Sequence, residues 1–195
     1  AEKLEAGSDG LYFVPHFSGR TCPNDSRVRG AYWGLSFNHT GAHMYRSIME
    51  SIAYEYAYYY SILKKQNPQI SPKYIYGAGG GAKSGVFSQI KADALGIPYR
   101  PLEEADTAVY ASAMLAAYGT GMIEDLKAVM KAPLREEIYL PDKERYEVYQ
   151  KNRETYVNLL NALGAFGGEE KENNMKNNLT PQKLAKMIDQ TLLKA

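Results

Sequence analysis

The chain has 195 residues, 45% of them hydrophobic and 23% charged, enough for one or two domains with a core of normal size and no help from disulfides or metals. Lys and Arg total 23 against 22 for Asp and Glu, and the net charge of +1 excludes a protein drawn to nucleic acid or anionic lipid by bulk charge. The lone Cys22 excludes an internal disulfide framework and a multi-cysteine zinc site, His16, His39 and His43 make no metalloprotease motif, and no apolar run approaches the roughly 18 residues that span a bilayer.

In chain order, Gly10 to Pro15 reads as a short buried strand closed by proline, Ser18 to Arg29 as a loop, and Gly30 to Leu35 as a second short strand. From Thr40 the spacing predicts a long, mostly buried helix, with Met44, Ile48, Ile52, Tyr56, Tyr59 and Leu63 as its core stripe. Lys73 to Tyr76 is a strand that runs into a glycine-rich turn, and a helix follows from Ser84 to about Leu95, with Phe87, Ile90 and Ala94 on one face. A brief strand is expected near Tyr99. Thr107 to Tyr118 is an alanine-rich helix suited to close packing, and Lys143 to Leu163 a long helix with Tyr146, Tyr149, Tyr156, Leu160 and Leu163 on a stripe. Gly164 to Asn178 has linker composition, after which Thr180-Pro181 caps an amphipathic stretch carrying Leu184, Met187 and Ile188. Strands alternating with helices indicate an α/β layer, yet only two or three strands are visible where about five or six are usual. The 17 tyrosines against 5 phenylalanines point to half-wet surfaces or an interface rather than a uniformly dry core.

The sharpest local feature is the strand-to-helix junction Gly79, Gly80, Gly81, Ala82, Lys83 and Ser84. Consecutive glycines let backbone N–H groups approach a ligand closely, and a helix N-terminus adds unpaired donors and the positive end of the helix dipole. The register of a Walker loop is absent, and Gly-x-Gly-x-x-Gly fails because Ser84 stands at its third position. On pattern alone the turn divides evenly between ligand binding and a packing requirement. His43 and Glu50, taken singly, read as a residue near a helix start and a paired or solvated carboxylate.

Together, Gly30-Ala31-Tyr32-Trp33-Gly34-Leu35 and the run from His43 to Glu50 resemble the C-terminal signature of the FGGY carbohydrate kinases. The glycine turn with Phe87, Gln89, Ala92-Asp93 and Leu95 to Pro98 is similar to that family's nucleotide turn and following helix. Glu103 to Gly121 resembles its next helix, and Ser18 to Thr21, Pro23 and Arg29-Gly30 resemble the loop ahead of the signature. The likeness runs from about Gly10 to Leu163 and is strongest toward the xylulokinase-like branch. It departs at Phe87, where Trp is common, and near Ala111, where Gly is usual.

The resemblance implies an actin-like ATPase (ribonuclease H-like) C-terminal lobe of a sugar kinase over residues 1–163, short of its first strands, with a linker over 164–178. It implies ATP and Mg²⁺ as cofactors, phosphorylation of a sugar such as the pentose or ketose xylulose, and nucleotide contacts from Gly79, Gly80, Gly81, Ala82, Lys83 and Ser84. No catalytic residue or metal ligand is assigned, because the aspartate base and the sugar-binding lobe precede the matched region in the family. Asp25, Asp93 and Asp106 read as a loop, a helix-face and an N-cap residue. The partners implied are ATP or ADP and a sugar held by the other lobe, with no nucleic acid or membrane, and a homodimer is left open. The charged start, Ala1 to Gly10, is no signal sequence, and a cytoplasmic protein is expected. Residues 179–195, within a match that starts at Met175, resemble the N-terminus of deoxyribose-phosphate aldolases, with Gln190 where His is typical. The competing reading is a non-catalytic nucleotide-binding or interaction module, with the tyrosine-rich stretch Tyr54 to Tyr60 as its partner surface.

Overall fold

The computed structural model describes residues 1–103, 106–129 and 134–167. Strand β1 (Tyr12–Val14) is buried along its length and pairs antiparallel with β4 (Ala31–Trp33), Tyr12 facing Trp33 and Val14 facing Ala31. The expected loop between them folds into a small hairpin of β2 (Arg20–Thr21) and β3 (Asn24–Asp25). Helix α1 (Gly41–Gln66) follows, and its start is marked by the Thr40 N–H donating to His43 Nδ1 at 3.1 Å, so His43 is a helix-start residue. Strand β5 (Ile75–Gly77), helix α2 (Gly85–Leu95) and strand β6 (Tyr99–Pro101) form a right-sized βαβ unit in which β5 and β6 pair in parallel. Gly96 ends α2 in the left-handed region (φ 67°), which a residue with a Cβ adopts reluctantly. Helices α3 (Thr107–Gly119), α4 (Leu126–Val129) and α5 (Lys143–Phe166) complete the described chain.

The core lies where α1, α2 and α5 meet β1. It holds Val14, Met49, Ala53, Ile90 and Leu160, and at its centre Tyr54, Tyr149 and Tyr156. The Tyr54 ring centroid is 5.8 Å from each of the other two, inside the range of favourable aromatic pairs. Tyrosine therefore builds the core as well as the surface, which corrects the composition-based expectation. The phenols are buried neutral: desolvation raises the pKa of Tyr54 and of Tyr149, and the Glu50 charge beside them adds to it.

The buried face of α1 also differs from expectation. It is Met49, Ala53, Tyr54 and Ala57 together with Arg46, Glu50 and Glu55, while Tyr56 and Leu63 of the expected stripe are 47% and 50% exposed. The helix carries apolar residues on two sides, and the core side uses small residues and ion pairs that a search for large apolar side chains passes over. The alanine-rich α3 buries none of its residues, so the close packing expected of it is not met within the described chain. Helix α5 extends past the expected boundary to Phe166. Gly164 is buried, and a Cβ there would come within 2.7 Å of Asp25 Oδ2, so this glycine serves contact with the β2–β3 hairpin rather than a linker. The remainder of the expected linker and the segment 179–195 lie outside the described residues.

Glu50 joins these parts. Its carboxylate, 1% exposed, accepts from Gly7 N (2.9 Å), Ser8 Oγ (2.7 Å), Arg46 Nε (2.7 Å) and the Tyr149 hydroxyl (3.0 Å). A second buried carboxylate, Asp93, ties α2 to the start of α5 through Arg145 Nε (2.7 Å) and the Asp142 N–H (2.8 Å). A third, Glu55, meets His16 at 3.1 Å and Arg20 at 3.7 Å and accepts from the Tyr59 hydroxyl, holding the loop after β1 to α1. Substitution Glu50→Gln leaves Arg46 buried without its counter-charge and is expected to cost about 3–5 kcal/mol, read as a lower urea midpoint.

Candidate nucleotide site at the glycine turn

Strand β5 delivers the chain to the turn and α2 carries it away. Gly77 closes β5 beneath the Tyr99 ring, whose hydroxyl lies 1.9 Å from where a Cβ would stand, so a side chain is excluded by the neighbouring strand. Gly79 has φ 81° and ψ −179°, a conformation essentially restricted to glycine. Residues Gly80–Lys83 form one 3-10 turn, closed by the Ala82 N–H donating to Gly79 O at 3.1 Å. Ser84 then caps α2, its Oγ accepting from Phe87 N at 3.3 Å.

The six sequence-marked residues have different environments. Gly80, Gly81 and Lys83 are exposed, Gly79 and Ser84 half-buried, and Ala82 only 5% exposed with its N–H spent on Gly79 O. At Gly79 and Gly80 a Cβ would meet nothing within 4 Å. For Gly79 the backbone conformation explains the residue. For Gly80 neither conformation nor packing does, and open space remains on the side where a ligand would approach. Donors on this turn and the N-terminus of the eleven-residue α2 suit an anion such as a phosphate group.

Beneath the turn sits a residue that the sequence reading passed over. Lys91 is 6% exposed, its Nζ 3.8 Å from the centroid of the Phe87 ring and 5.1 Å from that of Tyr99, and it donates to the Tyr99 hydroxyl at 3.2 Å. Burial lowers its pKa to about 8 and pushes the Tyr99 phenol up to about 12. The four-residue step from Phe87 to Lys91 was the available signal, since a cation and an aromatic at that spacing share a helix face. Behind Lys91 opens a cavity of about 380 Å³ lined by Tyr56, Tyr60, Leu63, Tyr76 and Tyr99.

The three aspartates have structural duties. Asp25 accepts two hydrogen bonds from the Arg27 guanidinium, both at 2.9 Å, which hold its carboxyl below the usual range. Asp93 is the α2–α5 tie, and Asp106 caps α3 by accepting from Val109 N at 3.2 Å. Among the described residues no three His, Cys, Asp or Glu side chains converge to hold a metal ion. No helix among these residues is long and apolar enough to cross a membrane.

A βαβ unit with a bare glycine turn at the strand-to-helix junction places the chain among the α/β proteins, in a form that nucleotide-binding members of that class also use. Residues 1–120 match the FGGY family of carbohydrate kinases, C-terminal domain, and the chain belongs to that family. It is 28% identical over 158 residues to a xylulose kinase of Staphylococcus epidermidis, covering 80% of this chain and 32% of that protein. It is 33% identical over 159 residues to a glycerol kinase of Listeria monocytogenes, covering 77% and 31%. Among solved structures, the gluconate kinase of Lactobacillus acidophilus superposes with a TM-score of 0.69 at 29% identity, over 84% of this chain and 33% of that one. The chain thus spans about a third of the length of the curated relatives it matches. The fold is the actin-like one of these sugar kinases, as its motifs implied.

Because only the backbone conformation restricts Gly79, and neither conformation nor packing restricts Gly80, the two alanine variants should separate. Gly79→Ala is expected to cost about 1–2 kcal/mol, whereas Gly80→Ala should lie within about 0.5 kcal/mol of the parent, both read by thermal unfolding.

Proposed function

We propose that this chain is the nucleotide-binding part of a kinase that moves the γ-phosphoryl group of ATP onto a sugar hydroxyl, releasing ADP and the sugar phosphate. A pentose or ketose such as xylulose is the favoured acceptor, by likeness to the xylulose kinase. The observation that carries the reading is the unfilled space at Gly80, on an exposed turn at the N-terminus of α2, where packing asks for no glycine.

In this reading Gly79, Gly80 and Gly81 let the nucleotide lie against the backbone, the buried Ala82 allows its close approach by keeping the turn compact, and Lys83 and Ser84 stand at the helix start. Phosphoryl transfer depends mainly on positioning and electrostatics, so a turn that fixes the nucleotide is one half of the machinery. The other half, the sugar site and the aspartate that accepts the hydroxyl proton, is assigned to the part of the protein that its longer relatives have and this chain lacks. Closure of the two halves would exclude water and limit idle hydrolysis of ATP. A cytoplasmic location goes with the supply of ATP.

The exposed Tyr56 and Leu63 favour the competing reading of a non-catalytic interaction module. A coupled assay on the full-length protein with a panel of pentoses, glycerol and gluconate separates the two. Sugar-dependent ADP formation is expected, and nucleotide binding without any such turnover would leave the module. Gly80→Leu should raise the KM for ATP by about tenfold or more by blocking the close approach, and leave the KM for the sugar unchanged.

A further inference from the structure

Among the described residues Lys91 is a buried cation with no anion beside it. Among the described residues its hydrogen-bond partner is the Tyr99 hydroxyl and its other neighbours are rings: Phe87 on its own helix, Tyr99 on β6 and Tyr56 on α1, the last at 5.9 Å. The titratable groups facing it are thus two tyrosines, Tyr56 from α1 and Tyr99 from β6, and burial keeps Tyr99 protonated well above neutral pH. Each of the other interior charges among α1, α2 and α5 is matched: Arg46 by Glu50, Asp93 by Arg145, Glu55 by Arg20 and His16. An ordinary lysine on an apolar surface would run its stem along the rings and put its ammonium in water. This one turns back along the helix toward the glycine turn, where its Nζ lies 3.7 Å from the position a Gly81 Cβ would occupy. Gly81 itself is exposed. Positive charge therefore sits directly under the part of the turn whose outer side is open.

We propose that Lys91 is a positioning residue for the nucleotide: its ammonium, held under the glycine turn by Tyr99 and the surrounding rings, supplies the charge that draws the nucleotide's phosphates onto the turn's open side. The anion that the described residues do not supply is the phosphate of the ligand. Aromatic faces hold the ammonium without neutralising it, so its field reaches through the thin, side-chain-free turn in a region of low dielectric. An unpaired buried charge disfavours folding, and its retention next to a binding turn is the pattern of a site that gives up stability for function.

This inference rests on the nucleotide reading, and ADP titration by calorimetry on the full-length protein tests both. The parent should bind ADP and lose affinity roughly three- to tenfold between about pH 7 and about pH 9.5, as Lys91 loses its proton. Lys91→Met should bind ADP roughly three- to tenfold more weakly at about pH 7, show little further change with pH, and melt at a higher temperature than the parent. Lys91→Arg, charged throughout, should keep the affinity of the parent at neutral pH and hold it at high pH. Weaker binding joined to higher stability is what a merely structural lysine would not produce. Unchanged ADP affinity in Lys91→Met, or a parent profile flat with pH, overturns the inference while leaving the nucleotide reading in place. Absence of ADP binding by the parent overturns both.

Discussion

The Glu50 carboxylate is the constraint from which the rest of the described structure follows. A carboxylate taken wholly out of water is tolerable only when its lone pairs are used, and Glu50 uses them on four donors from three separate parts of the chain. Gly7 and Ser8 bring in the N-terminal segment ahead of β1, Arg46 lies one turn away on α1, and Tyr149 comes from α5, almost a hundred residues further on. Because Arg46 also donates to Tyr149, at 3.0 Å, and to Ala1 O, at 3.0 Å, the positive partner is as fully engaged as the negative one. Such a network adds little net energy compared with an apolar packing of the same volume. What it adds is uniqueness, since any sliding of α5 along α1 would strand a charge.

Fixing α5 against α1 also fixes α2, which packs on both. Asp93 secures that second contact, accepting from Arg145 and from the main chain at Asp142, the residue that caps α5. Helix α2, and with it the glycine turn at its start, is therefore held by two satisfied carboxylates, Asp93 near its own C-terminal end and Glu50 on α1. The turn needs no side chains of its own to hold its place, which leaves its surface to backbone donors. Rigid support beneath a bare loop is the arrangement that lets a binding turn be both precise and accessible.

The outline of this arrangement was legible in the sequence where local rules decide it. Proline and glycine mark the ends of β1 and α2, Ser84 stands at a helix start, and the stripe expected on α5 finds its buried Tyr149, Tyr156 and Leu160, although Tyr146 of the same stripe is exposed. The α1 face was not legible, because beside Met49 and Tyr54 its core side is built from alanines and charges, and two of the partners of Glu50, Ser8 and Tyr149, lie 42 and 99 residues away. A charged residue reads as solvated until its partner is known. The same reason hid Lys91, and it made Gly164 look like linker when a close approach by Asp25 accounts for it. At the candidate site, the succession of strand, glycine turn and helix was legible, but the difference between Gly79 and Gly80 was not. Both letters are the same, and only φ and the surrounding space separate a conformational glycine from one that leaves room.

That separation bears on how the two sides of α2 divide their work. On the side facing α5, charge is matched to charge, Asp93 with Arg145, beside a cavity of about 720 Å³. On the side facing the glycine turn, a cation is left to ring faces and a tyrosine hydroxyl, a cavity opens behind it, and the turn above carries no side chain at Gly80. An interior built only for stability would make the second side like the first, by a carboxylate near Lys91 or an apolar residue in its place. Among the described residues, one face of α2 thus has its buried charge paired and the other has a cation facing rings and a phenol, and the second is the face that adjoins the turn. The asymmetry is what a ligand site requires, since the free energy to bind an anion must come from donors and charge that folding has left unspent.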